Sequence, residues 1–305
     1  MAQINNDIKL EQFDDVWGQF GDPAKVEEKF LELLPQAQQL ENKSIYLQIS
    51  SQLALSQALL KKYNKAHATL DKVEPQLTSE YDLARVRVLM ERGRVFQQAG
   101  DLAQARSYFE QSYELSAECK FDNQTVNAAH MIAIVAEKVA DKILWNKRSL
   151  DIVIASEDKK THRWLGSVWN NLGVNYFEEK QIEQAYHAFE KALECRKHEK
   201  HAPNIRFAKF RVAQSLRLLG SVDKALGILQ ELLLEYESLA AGQKLDMPAD
   251  VFTLTRGWIY EELIEIYHIA LKGYANLAYK DLSTNEMFKA TEPARLERLN
   301  KIKNW

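Results

Sequence analysis

Small residues return about every forty positions along this chain: Ala66, Ala105, Ala185 and Ala225, with Trp145 standing where another would be. Around each of them the same apolar spacing recurs. The clearest copy is 166–199, GSVWNNLGVNYFEEKQIEQAYHAFEKALECRKHE, where Trp169, Leu172, Gly173 and Tyr176 share one face and Ala185, Phe189 and Ala192 share the next. Both sets have helical spacing, so the unit reads as a helical hairpin. A shift back of about eighty residues gives 86–119, with Leu89, Gly93, Phe96, Ala105 and Phe109 in register. A shift forward of about forty gives 206–239, with Val212, Ala213, Leu216, Gly220, Ala225 and Leu229. Weaker copies lie at 126–159, through Ile132, Ala133, Ala136 and Trp145, and at 47–80, through Leu53, Ala54, Ala66 and Leu70. A sixth, degenerate copy is expected at 257–282, with Trp258, Leu263 and Tyr267 on a first helix and Tyr274 and Ala278 on a second.

A hairpin of this size cannot bury its own apolar face and needs a neighbour, so tandem copies imply one continuous stacked core. Composition agrees. With 46% hydrophobic and 27% charged residues, 11 Gly and 6 Pro, the chain has few turns for a many-stranded sheet, and an all-α fold is expected. Residues 1–46 read as N-terminal capping helices, one opening at Asp22-Pro23 and running through Val26, Phe30, Leu33 and Leu34. Residues 283–305 read as a C-terminal cap, from the capping box Ser283-Thr284-Asn285-Glu286 to a helix opened by Pro293 with Leu296, Leu299 and Ile302 on one face. One stretch, 240–255, breaks the helical period and reads as a long connection.

These residues resemble the tetratricopeptide repeat family over about 47–282, most strongly in 86–119 and 166–239. The spacing near forty is similar to the longer-helix variants of kinesin light chains and Pins-type adaptors. Asn170-Asn171-Leu172, Tyr176 and Lys191-Ala192-Leu193-Glu194 are similar to the kinesin light chain unit in particular. The resemblance implies a right-handed α-solenoid of helical hairpins whose first helices line a concave groove for a protein or peptide segment. On these positions the inward residues are Arg87, Met90, Glu91 and Arg94, then Asn127, His130 and Ile134, then Asn170, Asn171, Val174 and Phe177, and finally Phe207, Phe210, Arg211, Gln214 and Arg217. Asn171 offers a donor and an acceptor together and could pair with an extended peptide backbone; the alternative is a hydrogen bond between repeats. Arg211 and Arg217 would suit a carboxylate on the ligand, against the alternative of a solvated charged surface. The carboxylate clamp of chaperone-binding relatives needs lysine and asparagine at defined inward places. This chain has Met90 and Arg94 in one helix and Asn170 and Val174 in another, which argues against chaperone tails.

Catalytic patterns are missing: there is no glycine-rich phosphate loop, no nucleophile elbow and no pair of metal-binding histidines on one helix. Cys195, His198 and His201 lie within seven residues but lack a fourth ligand, so no metal and no cofactor are expected. A net charge of −3 gives no general field for nucleic acid. No run reaches the ~20 apolar residues of a membrane helix, and the start lacks a signal-peptide pattern. With two unpaired cysteines this points to a cytoplasmic protein that binds neither nucleic acid nor membrane. The expected role is a non-enzymatic scaffold or adaptor. A peptide-responsive regulator that changes superhelical shape on binding is the alternative, and the partner and oligomeric state are not encoded in any motif.

Overall fold

The structure, a computed structural model, describes residues 10–39, 42–242 and 245–283. Among them the chain is helix and short turn, without a strand. A 3-10 turn, Leu10–Asp15, leads into α1 (Val16–Phe20) and α2 (Pro23–Gln39). Hairpins follow: α3 (Lys43–Leu59) with α4 (Tyr63–Val73), α5 (Asp82–Ala99) with α6 (Leu102–Glu118), and α7 (Asp122–Val135) with α8 (Val139–Ala155). The short α9 (Lys159–His162) precedes α10 (Leu165–Glu178). Then come α11 (Ile182–Glu199), α12 (Ala202–Leu218), α13 (Val222–Ala241) and α14 (Ala249–Ser283). The chain divides into two compact units, the first ending at Gln181 and the second beginning at Ile182, so the division falls inside the 166–199 copy.

Local chemistry sets where helices start and stop. Asn42 accepts from Ile45 N at 3.2 Å and Asp101 from Gln104 N at 3.0 Å, each satisfying a free first-turn N–H. The ends close with a left-handed residue: Lys61, Gly100, Lys120, Lys180, Lys200 and Gly220 all have positive φ. At Lys61 the next residue, Lys62, donates from its N–H to Gln57 O at 2.8 Å, and at Gly100 the bond from Asp101 N to Phe96 O is 2.9 Å, which is the six-to-one closure of a helix end.

In the first unit each hairpin buries its small residues against the next. Ala66 and Ala105 are fully buried and Trp145 nearly so; in the second unit Ala185 and Ala225 are fully buried. Ala54, Ala58, Ala66 and Leu70 share a cluster with Ala84 and Val88 of the following helix. One repeat later Ala105 and Phe109 pack with Ala128, Ala129 and Ile132 of α7. Trp145 fits where alanine stood because its ring lies edge-on to Tyr113, centroids 5.1 Å apart. Gly93 is required for closeness: a Cβ there would stand 2.5 Å from Phe109 Cε1. Phe13, Val16, Val26, Phe30 and Leu33 pack on α3 at Ile49 and Leu53. In the second unit α11, α12, α13 and α14 pack in sequence.

Two expectations need correction. The connection expected at 240–255 is shorter, since α13 reaches Ala241 and α14 begins at Ala249. The hairpin expected at 257–282 is instead the continuous α14, which runs from Ala249 to Ser283. Gly257 and Gly273 are the glycines of that stretch, and each internal glycine costs about 1 kcal/mol, too little to break a helix without a cap or proline. The C-terminal cap from Thr284 onward lies outside the described residues.

Candidate functional site

The first helices of the hairpins in the first unit, α3, α5, α7 and α10, contribute polar residues that join into a line. Trp17 Nε1 donates to Gln52 Oε1 at 2.9 Å, and Gln52 Nε2 donates to Glu91 Oε1 at 3.0 Å. Arg94 continues it, donating to both Glu91 oxygens at 3.3 and 3.4 Å and to Asn127 Oδ1 at 3.2 Å. One turn further along α7, His130 Nδ1 accepts from Asn171 Nδ2 at 3.1 Å. Helical periodicity accounts for the alignment. Gln52, Glu91, His130 and Asn171 follow one another about every forty residues, on the same face of four equivalent helices.

Two clefts open along this line. One of about 200 Å³ is lined by Asp14, Trp17, Gln52, Arg87, Met90, Glu91, Arg94, Asn123 and Asn127. The other, about 250 Å³, is lined by His130, Ala133, Ile134, Lys142, Asn146, Asn171, Val174 and Asn175. The charges in the first are largely matched. Arg87 grips Asp14 with two hydrogen bonds, 2.5 and 2.8 Å, and lies over the Phe13 ring, while Arg94 faces the buried Glu91. Burial, with the Arg94 cation nearby, holds the His130 pKa down at about 4, so the ring is neutral near pH 7. With Nδ1 accepting from Asn171, its proton sits on Nε2. What remains is a row of neutral amides with unused donors and acceptors. Such groups match the alternating N–H and C=O of an extended chain.

The expected groove residues therefore separate. Asn171, His130, Arg87 and Arg94 line the two clefts. Asn170 and Phe177, half-buried on the same helix, line neither. The hydrogen bond weighed as the alternative for Asn171 is present, but it uses only one amide hydrogen.

The second unit treats its arginines differently from expectation. Arg217 donates from Nε to Glu262 Oε2, and Gln214 Nε2 donates to Glu262 Oε1 at 2.8 Å. Glu262 is 7% exposed, so Arg217 and Gln214 are engaged within the fold rather than held out for a ligand carboxylate. The physical reason is that α14 packs on α12 and brings Glu262 to Gln214 and Arg217. Arg211 has no carboxylate partner among the described residues. Its guanidinium lies over Phe207 and Phe189, Nη1 donates to Gln214 Oε1 at 3.0 Å, and Nε is buried without a partner. Burial lowers its pKa, against the opposing pull of Glu262. Phe210 stacks on Trp258, centroids 6.0 Å apart, and is 7% exposed, which makes it a core residue.

Sequence reasoning missed Gln52, Trp17, Asn146 and Asn175. Gln52 stands 39 residues before Glu91, on the shift that relates the repeats. Asn146 and Asn175 carry no such signal, because their roles depend on a contact between a second helix and a first helix. Cys195, His198 and His201 do not assemble: among the described residues no group of three or more His, Cys, Asp or Glu side chains could hold a metal ion. Both cysteines are free thiols, and among the described residues no helix is long and apolar enough to cross a membrane.

Two segments of the chain, 86–119 and 166–198, match models of the tetratricopeptide repeat. The chain thus carries tetratricopeptide repeats over these two segments. No curated protein matches it in sequence. Solved structures extend the likeness in fold beyond the two tetratricopeptide segments. RapI in its apo form is 16% identical, with a TM-score of 0.65 over 92% of this chain and 78% of that one. BtubC (BKLC) from P. vanneervenii is 14% identical, with a TM-score of 0.59 over 79% of this chain and 95% of that one. The kinesin light chain TPR-like repeats of Podosopora anserina are 16% identical, with a TM-score of 0.51 over 66% of this chain and 98% of that one. Tetratricopeptide repeats of this kind supply a protein-interaction scaffold.

Proposed function

We propose that this protein is a non-catalytic scaffold whose first unit binds an extended polypeptide segment along the face of α3, α5, α7 and α10. The observation that carries the reading is the polar line from Trp17 through Gln52, Glu91, Arg94 and Asn127 to the His130–Asn171 pair, flanked by two open clefts. Main-chain amides of a ligand need donors and acceptors held at fixed positions, and bonds among neighbouring side chains hold them. The matched charges favour a ligand recognised by shape and hydrogen bonding over one captured by field.

Within this reading Asn171 is the central contact, with Arg87, Arg94 and His130 beside it. Arg211 is a separate cation for a carboxylate on the second unit, no longer aided by Arg217. The partner is a protein or peptide, with no part for nucleic acid or membrane, and the setting is cytoplasmic. The test begins with selection of binders from a random peptide display library, followed by fluorescence anisotropy on the selected peptides. Asn171→Ala combined with Gln52→Ala should weaken binding about tenfold or more while helical circular dichroism stays unchanged. Unchanged affinity in that double variant contradicts the assignment to this face.

A further inference from the structure

Four large side chains line up on the solvent side of α14: Tyr260, Ile264, Tyr267 and Leu271, exposed by 38, 65, 56 and 55%. They do not belong to the side that holds α14 to its unit. Phe252, Ile259, Leu263 and Ile266 are buried there, where α14 packs on α13 and α12. The exposed four follow one another at intervals of four, three and four residues, the spacing of a seam between two helices. Single exposed apolar residues are ordinary. An aligned row of two tyrosines, an isoleucine and a leucine along about 17 Å of helix is a contact surface. Tyrosine suits such a seam, because its ring can be covered while its hydroxyl stays at the rim in water.

Charge decides what covers the row. Glu261, Glu265, His268 and Lys272 are exposed, and each directly follows one of the four, so a second row runs beside the first. Among the described residues the ion pair that α14 makes is Glu262 with Arg217, on its buried side, while Arg256 lies over the Tyr260 ring. The second row is therefore acidic at its N-terminal end, through Glu261 and Glu265, and basic at Lys272. A uniformly acidic or basic partner would match one end and repel the other. A parallel second copy would set both glutamates against their own duplicates. An antiparallel second copy, related by a twofold axis, sets Tyr260 opposite Leu271 and Ile264 opposite Tyr267. The same axis brings Glu261 opposite Lys272 and Glu265 opposite His268, so the face complements itself as an isologous contact requires.

We propose that this face of α14 is a self-association surface, at which two copies of the chain pair through antiparallel α14 helices. The inference concerns the second unit and stands apart from the peptide-binding reading of the first. Sedimentation velocity of the full chain, at concentrations on the order of 1–200 µM, should show a reversible monomer–dimer equilibrium. Ile264→Glu should abolish the dimer. Glu261→Lys and Lys272→Glu, each alone, set like charges opposite each other at both ends of the contact and should weaken pairing about tenfold or more. An equimolar mixture of these two variants restores opposite charges at both ends and should dimerise as the wild type does. All three sites are exposed, so helical circular dichroism should stay unchanged throughout. A monomer at every concentration, a dimer indifferent to Ile264→Glu, or a mixture that does not recover pairing would overturn the proposal. A monomer whose unfolding midpoint falls on Ile264→Glu would assign the face to residues 284–305 of the same chain instead.

Discussion

Asn171 on α10 donates to His130 Nδ1 on α7 at 3.1 Å, tying two first helices together across the face proposed to bind. That bond requires an unprotonated Nδ1, so the state of His130 and the integrity of the face are linked. Burial holds the ring neutral, with Arg94 reinforcing it.

His130 should make stability fall in mild acid. Its pKa is about 4 in the folded chain and near 6.5 when unfolded, so between these values the unfolded state binds more protons. The contribution is complete above about pH 6.5 and is lost as pH falls toward 4, amounting to roughly 3 kcal/mol in the limit. Denaturant titrations at pH 7 and pH 5 should show this loss in the wild type and a shallower one in His130→Gln. Equal slopes in both proteins would remove His130 as the cause.

Gly93→Ala should destabilise the second hairpin. The added methyl would meet Phe109 Cε1 at 2.5 Å and Ala105 O at 3.1 Å, and neither the packed ring nor the backbone can move far. A cost of roughly 1–3 kcal/mol is expected, read as a lower urea midpoint.

Lys61→Gly and Lys120→Gly should each stabilise the fold. Both lysines sit at positive φ, 59° and 57°, where a Cβ is unfavourable and glycine is not. A gain of about 0.5–1 kcal/mol per site is expected from thermal or urea unfolding. A loss at either site would mean that the lysine side chain contributes more than its backbone strain costs.

Glu262→Ala should unsettle the second unit. It strands the Arg217 guanidinium and the Gln214 amide at a carboxylate that is 7% exposed, with an expected cost of about 3 kcal/mol. Hydrogen exchange should rise in α12 and α14, and exchange confined to α14 would show that the ion pair does not couple the two helices.

The recurrence of Ala66, Ala105, Ala185 and Ala225 was enough to read the hairpins, because stacking leaves a small buried residue at each junction. The end of the array was not legible. The apolar pattern of 257–282 suits two helices or one, and the absence of a cap near Gly273 decides for one. The candidate face was half legible. Asn171, His130, Arg87 and Arg94 follow from position in the repeat, whereas the engagement of Arg217 by Glu262 and the hydrogen bond between Asn146 and Asn175 depend on tertiary contacts that spacing does not carry.

The most direct test is a footprint. A library-selected peptide carrying a photoreactive benzophenone residue is cross-linked to the protein and the sites are mapped by mass spectrometry. Cross-links should fall on α3, α5, α7 and α10, at Gln52, Met90, Asn127, Ile134 and Val174. Cross-links confined to the outer faces of α4, α6 and α8 would contradict the assignment of the first-helix face as the binding surface.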